Sequence, residues 1–153
     1  MLHSITTVVN RHEEFRTAFD EADELGVSRE LHPCYTVFHK DSETFSNLWT
    51  EYTPDLRDFI RRYEADLATY GDNAAFIGKP DLPKNSFTVS MLPSTSFDGF
   101  NLNLLPIFTL GKFFPESDRT LMPVALQVHH GVCDGFHTCR FLNELQALLN
   151  DVE

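Results

Sequence analysis

Leu2, Ile5, Val8 and Val9 fall on one side of a 3.6-residue period, so the chain opens with an amphipathic helix over residues 2–10. From Glu14 to Leu25 the spacing leans helical again. Pro33 breaks that pattern. Beyond it, the aromatic and β-branched runs at 35–39 and 44–49 flank a polar turn, Lys40-Asp41-Ser42-Glu43, and predict two strands. Thr53-Pro54-Asp55 has the make-up of a helix start: a capping hydroxyl, a proline for the first position and an acid in the first turn. Leu56, Phe59, Ile60, Tyr63, Leu67 and Tyr70 then keep a three–four spacing, which predicts a helix over 54–70 ended by Gly71-Asp72-Asn73. Two prolines and a glycine make 77–85 a loop.

The second half alternates strand and turn. Strands are expected at 86–92, 100–104, 107–114 and 121–129, with Pro115-Glu116-Ser117-Asp118 as a turn. Val124-Ala125-Leu126-Gln127-Val128 is nearly all apolar, as a strand covered on both faces would be. Phe141, Leu142, Leu145, Leu148 and Leu149 restore the helical period for a final helix over 135–150. The whole, 1–153, reads as one α/β (α+β) domain: a mixed or mostly antiparallel sheet with helices on one face, and no repeat or linker.

Composition narrows the function. With 153 residues, 42% of them apolar, the chain can bury about two-thirds of its unfolded surface. Twelve basic residues against 23 acidic ones give a net charge of −11, which repels phosphate backbones and argues against nucleic acid as a partner. Cys34, Cys133 and Cys139 form no C-x-x-C pair and read as reduced thiols. There is no 18-residue apolar run, and no basic stretch precedes Glu13 and Glu14, so neither a membrane span nor a secretory signal is expected. The expectation is a cytoplasmic protein without a membrane partner.

The densest titratable stretch is Gln127-Val128-His129-His130-Gly131-Val132-Cys133-Asp134-Gly135-Phe136-His137, at a strand-to-helix junction where a rigid scaffold can hold reactive groups. Taken singly, Asp134 is a normal helix cap, and a lone histidine at a strand end is usually just hydrogen-bonded. His129, His130, Cys133 and His137 could ligate zinc, but their spacing matches neither a finger nor an HExxH helix, and no metal is expected.

Acyl transfer accounts for the whole string. His130 and Asp134 form H-x-x-x-D-G. With His32-Pro33-Cys34-Tyr35-Thr36-Val37-Phe38-His39, Glu43-Thr44-Phe45-Ser46-Asn47-Leu48-Trp49 and Phe97-Asp98-Gly99-Phe100-Asn101-Leu102-Asn103, the string closely resembles, in order, the chloramphenicol acetyltransferases. These are acetyl-CoA-dependent enzymes that O-acetylate the antibiotic. The resemblance implies a two-layer α/β subunit of a homotrimer, with residues 14–30 mainly extended. It also implies sites at subunit interfaces, where the histidine of one subunit faces substrate held largely by its neighbour.

On that resemblance His130 is the general base, taking the proton of the acceptor hydroxyl as its oxygen attacks the acetyl-CoA thioester. Ser90, in Ser90-Met91-Leu92-Pro93, donates to the oxyanion of the tetrahedral intermediate. Asp134 supports the loop, paired in the family with an arginine. Phe45, Phe76, Phe100 and Leu102 match apolar positions around chloramphenicol or a similar hydroxyl acceptor, and Thr109 and Lys112, with Ser90, match contacts to coenzyme A. The sequence departs from the family in three ways: it begins at the family's second helix, without the strand–helix–strand segment that carries the arginine; it is shorter between Asn103 and Ile107; and it has Ser94 where the family has an aromatic. The leading expectation is a short, N-terminally truncated acetyltransferase of this type with weak or altered acetyl transfer. The alternative is a catalytically silent, trimer-forming remnant.

Overall fold

The computed structural model describes residues 1–20, 22–91 and 104–151. Helix α1 (Leu2–Arg11) leads through a 3-10 turn (Glu13–Phe15) into a small hairpin of β1 (Thr17–Phe19) and β2 (Leu25–Val27). Then follow β3 (His32–His39), β4 (Thr44–Trp49), α2 (Leu56–Tyr70), β5 (Ser86–Met91) and β6 (Ile107–Leu110). A second small hairpin of β7 (Phe114–Glu116) and β8 (Arg119–Leu121) precedes β9 (Val124–Gln127) and α3 (Gly135–Asn150). The main sheet runs β4-β3-β5-β6-β9: the three central strands are parallel, and β4 and β9 join antiparallel at the edges.

Strand alternation sorts the side chains onto two faces. One register row, Leu48, Tyr35, Val89, Phe108 and Leu126, crosses all five strands and points into the core. The helices cover this face through Ile5, Val8 and Val9 of α1, Tyr63 and Leu67 of α2, and Phe141 and Leu145 of α3. The mixed sheet with its helices on one side is the expected two-layer α/β architecture. Its centre is a chain of four rings, each at most 2% exposed: Phe15 to Phe141 and Phe141 to Phe108 at 5.0 Å, and Phe108 to Phe87 at 5.7 Å. Asn10 pins the end of α1 to the start of β3 by exchanging two hydrogen bonds with Leu31, at 2.9 and 2.8 Å.

Four local expectations need correction. Residues 16–20 and 22–25 are not helical: the Asp20 carboxylate accepts from the amides of Ala22 and Glu24, and Asp23 takes φ 58°, so an aspartate turn outcompetes the helix and closes a hairpin. The extended conformation implied by the family resemblance holds there. Helix α2 is capped by the Asp55 carboxylate, which accepts from the Asp58 amide at 2.8 Å, so Thr53 and Pro54 lie outside it; Leu56 and Ile60 on its expected apolar stripe stay exposed. The run expected at 107–114 breaks after Leu110, and β7 pairs with β8 around Ser117-Asp118. Finally, the apolar run 124–128 contains an edge strand with Ala125 exposed, not a strand covered on both faces. The strand expected at 100–104 lies outside the described residues except for Leu104.

Phe141 links α3 to both the 3-10 turn and the sheet. Replacing it by alanine should cost about 3–5 kcal/mol, read as a lower urea midpoint with an unchanged slope; a loss below about 1 kcal/mol would show that the ring chain does not carry the packing.

Candidate active site

The face opposite the helices is left open. Its rows are Trp49, Cys34, Thr88, Ile107 and Gln127; then Asn47 beside Thr36, with Ser90, Thr109 and Ala125 aligned across β5, β6 and β9; then Phe45 beside Phe38. Ser90 and Thr109 are therefore lateral neighbours on this face, both half-buried. Phe38 and Phe45 are 64% and 49% exposed, and Phe76, delivered by the loop after α2, is 67% exposed with its ring edge-on to Phe45 at 6.1 Å. Phe45 and Phe76, matched by the resemblance to apolar positions around the acceptor, thus meet on the surface and not in the core. Lys112 is exposed two residues beyond β6. Phe100 and Leu102 lie outside the described residues.

His130 is exposed on the loop between β9 and α3. Its Nδ1 lies 3.2 Å from the Cys133 carbonyl oxygen. A carbonyl only accepts, so Nδ1 carries the hydrogen, and in the neutral ring Nε2 keeps its lone pair. Turn bonds from the amides of Val132 and Cys133 to the His129 carbonyl, both 3.1 Å, shape the loop. The Cys133 thiol is buried and donates to the Glu14 carbonyl at 3.6 Å; burial, with the carboxylates of Glu14 and Asp134 nearby, pushes its pKa up to about 11. At neutral pH it is a packed thiol, neither nucleophile nor thiolate ligand. Among the described residues no three His, Cys, Asp or Glu side chains converge as a metal site would require.

Asp134 is the N-cap of α3. Its carboxylate accepts from the amides of Phe136 at 2.9 Å and His137 at 3.3 Å, and the His137 ring reciprocates on the Asp134 amide at 3.1 Å. The bond from the His137 amide, with other bonds and the ring's charge adding to it, holds this carboxyl below the usual aspartate range. The same His137 Nδ1 lies 2.7 Å from the Asp134 carboxylate, a contact that becomes an ion pair only with the ring protonated. Arg140 pairs with Glu14, and Arg16 donates to the carbonyls of Ser28 and Arg29.

The register also separates these groups. Strand β5 carries Ser90 toward its C-terminal end, the end where Phe38 and Phe45 lie. Strand β9 runs the opposite way, and the row of Gln127, its last residue, lies two strand positions, roughly 7 Å, before that of Ser90. His130 lies three residues further on. One copy of the chain thus presents the serine, the threonine and the aromatic pair toward one end of the sheet and the histidine at the other. Sequence reading missed two parts of this geometry, the Cys133 carbonyl and Asn47. Period-two alternation along Phe45, Asn47 and Trp49 carries the signal for Asn47; a main-chain acceptor leaves none.

Two outcomes are expected in solution. Above the ordinary aspartate pKa of 3.8 the Asp134 carboxylate stabilises the start of α3, and this contribution is lost as pH falls through its lower folded value. Asp134→Asn, which keeps an accepting oxygen, should flatten that acid limb in urea titrations from pH 6 to 2.5 while keeping most neutral stability; an unchanged limb contradicts the cap. Cys139 is exposed, whereas Cys34 and Cys133 are buried with pKa values of about 11. A thiol reagent at pH 8 should therefore modify one cysteine per native chain and all three after denaturation; rapid modification of all three in the native chain would refute the packing.

Residues 1–146 match the family profile described as chloramphenicol acetyltransferase. Similar curated proteins are the chloramphenicol acetyltransferases of Campylobacter coli, 54% identical over 157 aligned positions, and of Vibrio anguillarum, 50% identical over 160. The alignments cover 98% and 100% of this chain and 76% and 74% of those proteins, so the chain spans about three quarters of their length. Among solved structures, a chloramphenicol acetyltransferase superposes with a TM-score of 0.75 at 21% identity, over 97% of this chain and 75% of that one. A dihydrolipoamide acetyltransferase of Azotobacter vinelandii superposes with 0.73 at 20% identity, over 98% and 66%.

Proposed function

The chain belongs to the chloramphenicol acetyltransferase family, and we propose that it transfers the acetyl group of acetyl-CoA to a hydroxyl of chloramphenicol or a similar acceptor, with His130 as general base. The observation that carries this reading is the histidine's environment: a carbonyl fixes the hydrogen on Nδ1, which leaves the lone pair of the neutral ring on Nε2, and the residue is exposed on its loop. Nε2 takes the proton of the acceptor hydroxyl as the hydroxyl oxygen bonds to the thioester carbon. The Ser90 hydroxyl donates to the oxygen that becomes negative. When the tetrahedral intermediate collapses, the carbon–sulfur bond breaks and the proton on Nε2 passes to the departing coenzyme A sulfur. Such proton transfer is typically worth about 10²–10⁴ in rate, and one oxyanion donor roughly 3–4 kcal/mol.

In this reading Phe45 and Phe76 wall the acceptor, and Thr109 and Lys112 contact coenzyme A; a lysine supplies positive charge to an anionic ligand on an acidic protein. Asp134 acts through the helix cap and is a positioning residue. The separation of Ser90 from His130 along the sheet supports a site assembled from two copies, as in a trimer whose neighbours meet across the open faces. A trimer at micromolar concentration in sedimentation is the expected state.

His130→Ala should lower chloramphenicol-dependent release of coenzyme A thiol by at least about 10²-fold, and Ser90→Ala by about 10²–10³. If the unsubstituted chain is no faster than the His130→Ala variant, the enzymatic reading is wrong and the chain is a silent scaffold of the same fold.

A further inference from the structure

We propose that Asn47 is a positioning residue that sets the acceptor specificity of the site by clamping Phe76 against Phe45. The proposal deepens the acceptor-pocket reading above and rests on it. Asn47 lies on β4, at the edge of the main sheet, and grips the loop after α2 with three hydrogen bonds. Its amide and its side-chain Nδ2 both donate to the Phe76 carbonyl, at 2.9 and 3.0 Å, and its own carbonyl accepts from the Gly78 amide at 2.9 Å. The result is an isolated parallel bridge between Asn47 and Ile77 that adds the loop to the sheet edge.

The loop is held from behind as well. Asn73 donates to the Gly78 carbonyl at 2.7 Å. A Cβ on Gly78 would come within 2.9 Å of Leu48 Cδ1, so the loop lies flush against the sheet and a larger residue there would have to displace the leucine. Lys79 donates to Asp66 on α2 at 2.7 Å and to the Trp49 carbonyl at 3.1 Å, and its ammonium sits 3.8 Å above the Trp49 ring.

A fixed backbone carrying an exposed ring is an unusual use of phenylalanine. Burial does not explain the anchoring, because Phe76 is 67% exposed. What the anchoring does fix is the place and edge-on angle of the ring beside Phe45. A wall held in this way meets a ligand without first being ordered, which lowers the entropic cost of binding. Asn47 stands in the same face of the sheet as Ser90 and Thr109, so the clamp reports on the acceptor side of the site and not on the histidine.

The test compares Asn47→Ala and Asn47→Asp with the unsubstituted chain in steady-state acetylation of chloramphenicol and in amide hydrogen exchange. Alanine removes the second donor to the Phe76 carbonyl, and aspartate sets a carboxylate against it. The expected result is an acceptor KM raised at least fivefold by Asn47→Ala and more by Asn47→Asp, with kcat and the acetyl-CoA KM within twofold of the original. Exchange at the Gly78 amide should quicken about tenfold, while the β3 amides stay protected. An unchanged acceptor KM, or both KM values and the melting temperature moving together, overturns the clamp. A complete lack of turnover in the unsubstituted chain would instead sink the reading of the site, and the Gly78 exchange rate would still decide whether Asn47 holds the loop.

Discussion

The contact on which this architecture depends is Phe141 wedged between Phe15 and Phe108, 5.0 Å from each ring. Through it α3 is seated on strand β6 and on the turn that follows α1 at once. The loop carrying His130 spans the short gap between β9 and α3, so its course follows from how those two elements are docked. Local bonds then finish the placement: Cys133 is tied to Glu14, Asp134 caps the helix, and the Cys133 carbonyl takes the hydrogen of His130 Nδ1. An aromatic core contact thus reaches the imidazole of His130 through rigid elements and a seven-residue loop.

The same core has a second consequence. With every helix on one side, the sheet offers its other face to something else. Its residues there are mixed: hydroxyls at Thr88, Ser90 and Thr109, amides at Asn47 and Gln127, and exposed rings at Phe38 and Phe45. That is the composition of a site or an interface and not of a solvated surface. In the proposed function it serves as both: each copy contributes the serine and aromatic end of its sheet to one site and the histidine end to another.

Much of the fold was legible in the sequence because periodic apolar segments form their elements even where, as at Leu56 and Ile60 of α2, part of the stripe stays exposed. Helices α1, α2 and α3 and strands β3, β4 and β5 follow their apolar spacing. The failures have local causes. Residues 14–25 mimic a helical stripe, but hydrogen bonds from the Asp20 side chain bend the backbone, a competition that hydrophobic periodicity does not register. The run around Val124 is apolar enough for a central strand, yet it ends up at the edge, because strand order is a property of the whole chain. At the site, the residue types of His130, Ser90 and Asp134 were readable from their motifs, and so was the capping role of Asp134. The clamp on Phe76 and the carbonyl behind His130 depend on main-chain atoms, which every residue possesses and no sequence pattern marks.

The central claim is that His130 acts as base in a site shared between copies. The most direct test is complementation: the His130→Ala and Ser90→Ala chains, each nearly inactive alone, are unfolded together, refolded as a mixture and assayed for chloramphenicol acetylation. With a site shared across a head-to-tail interface, random mixing of equal amounts leaves about one interface in four with both residues intact, and activity should return to roughly that fraction of the unsubstituted level. A mixture no more active than its two components would contradict the account.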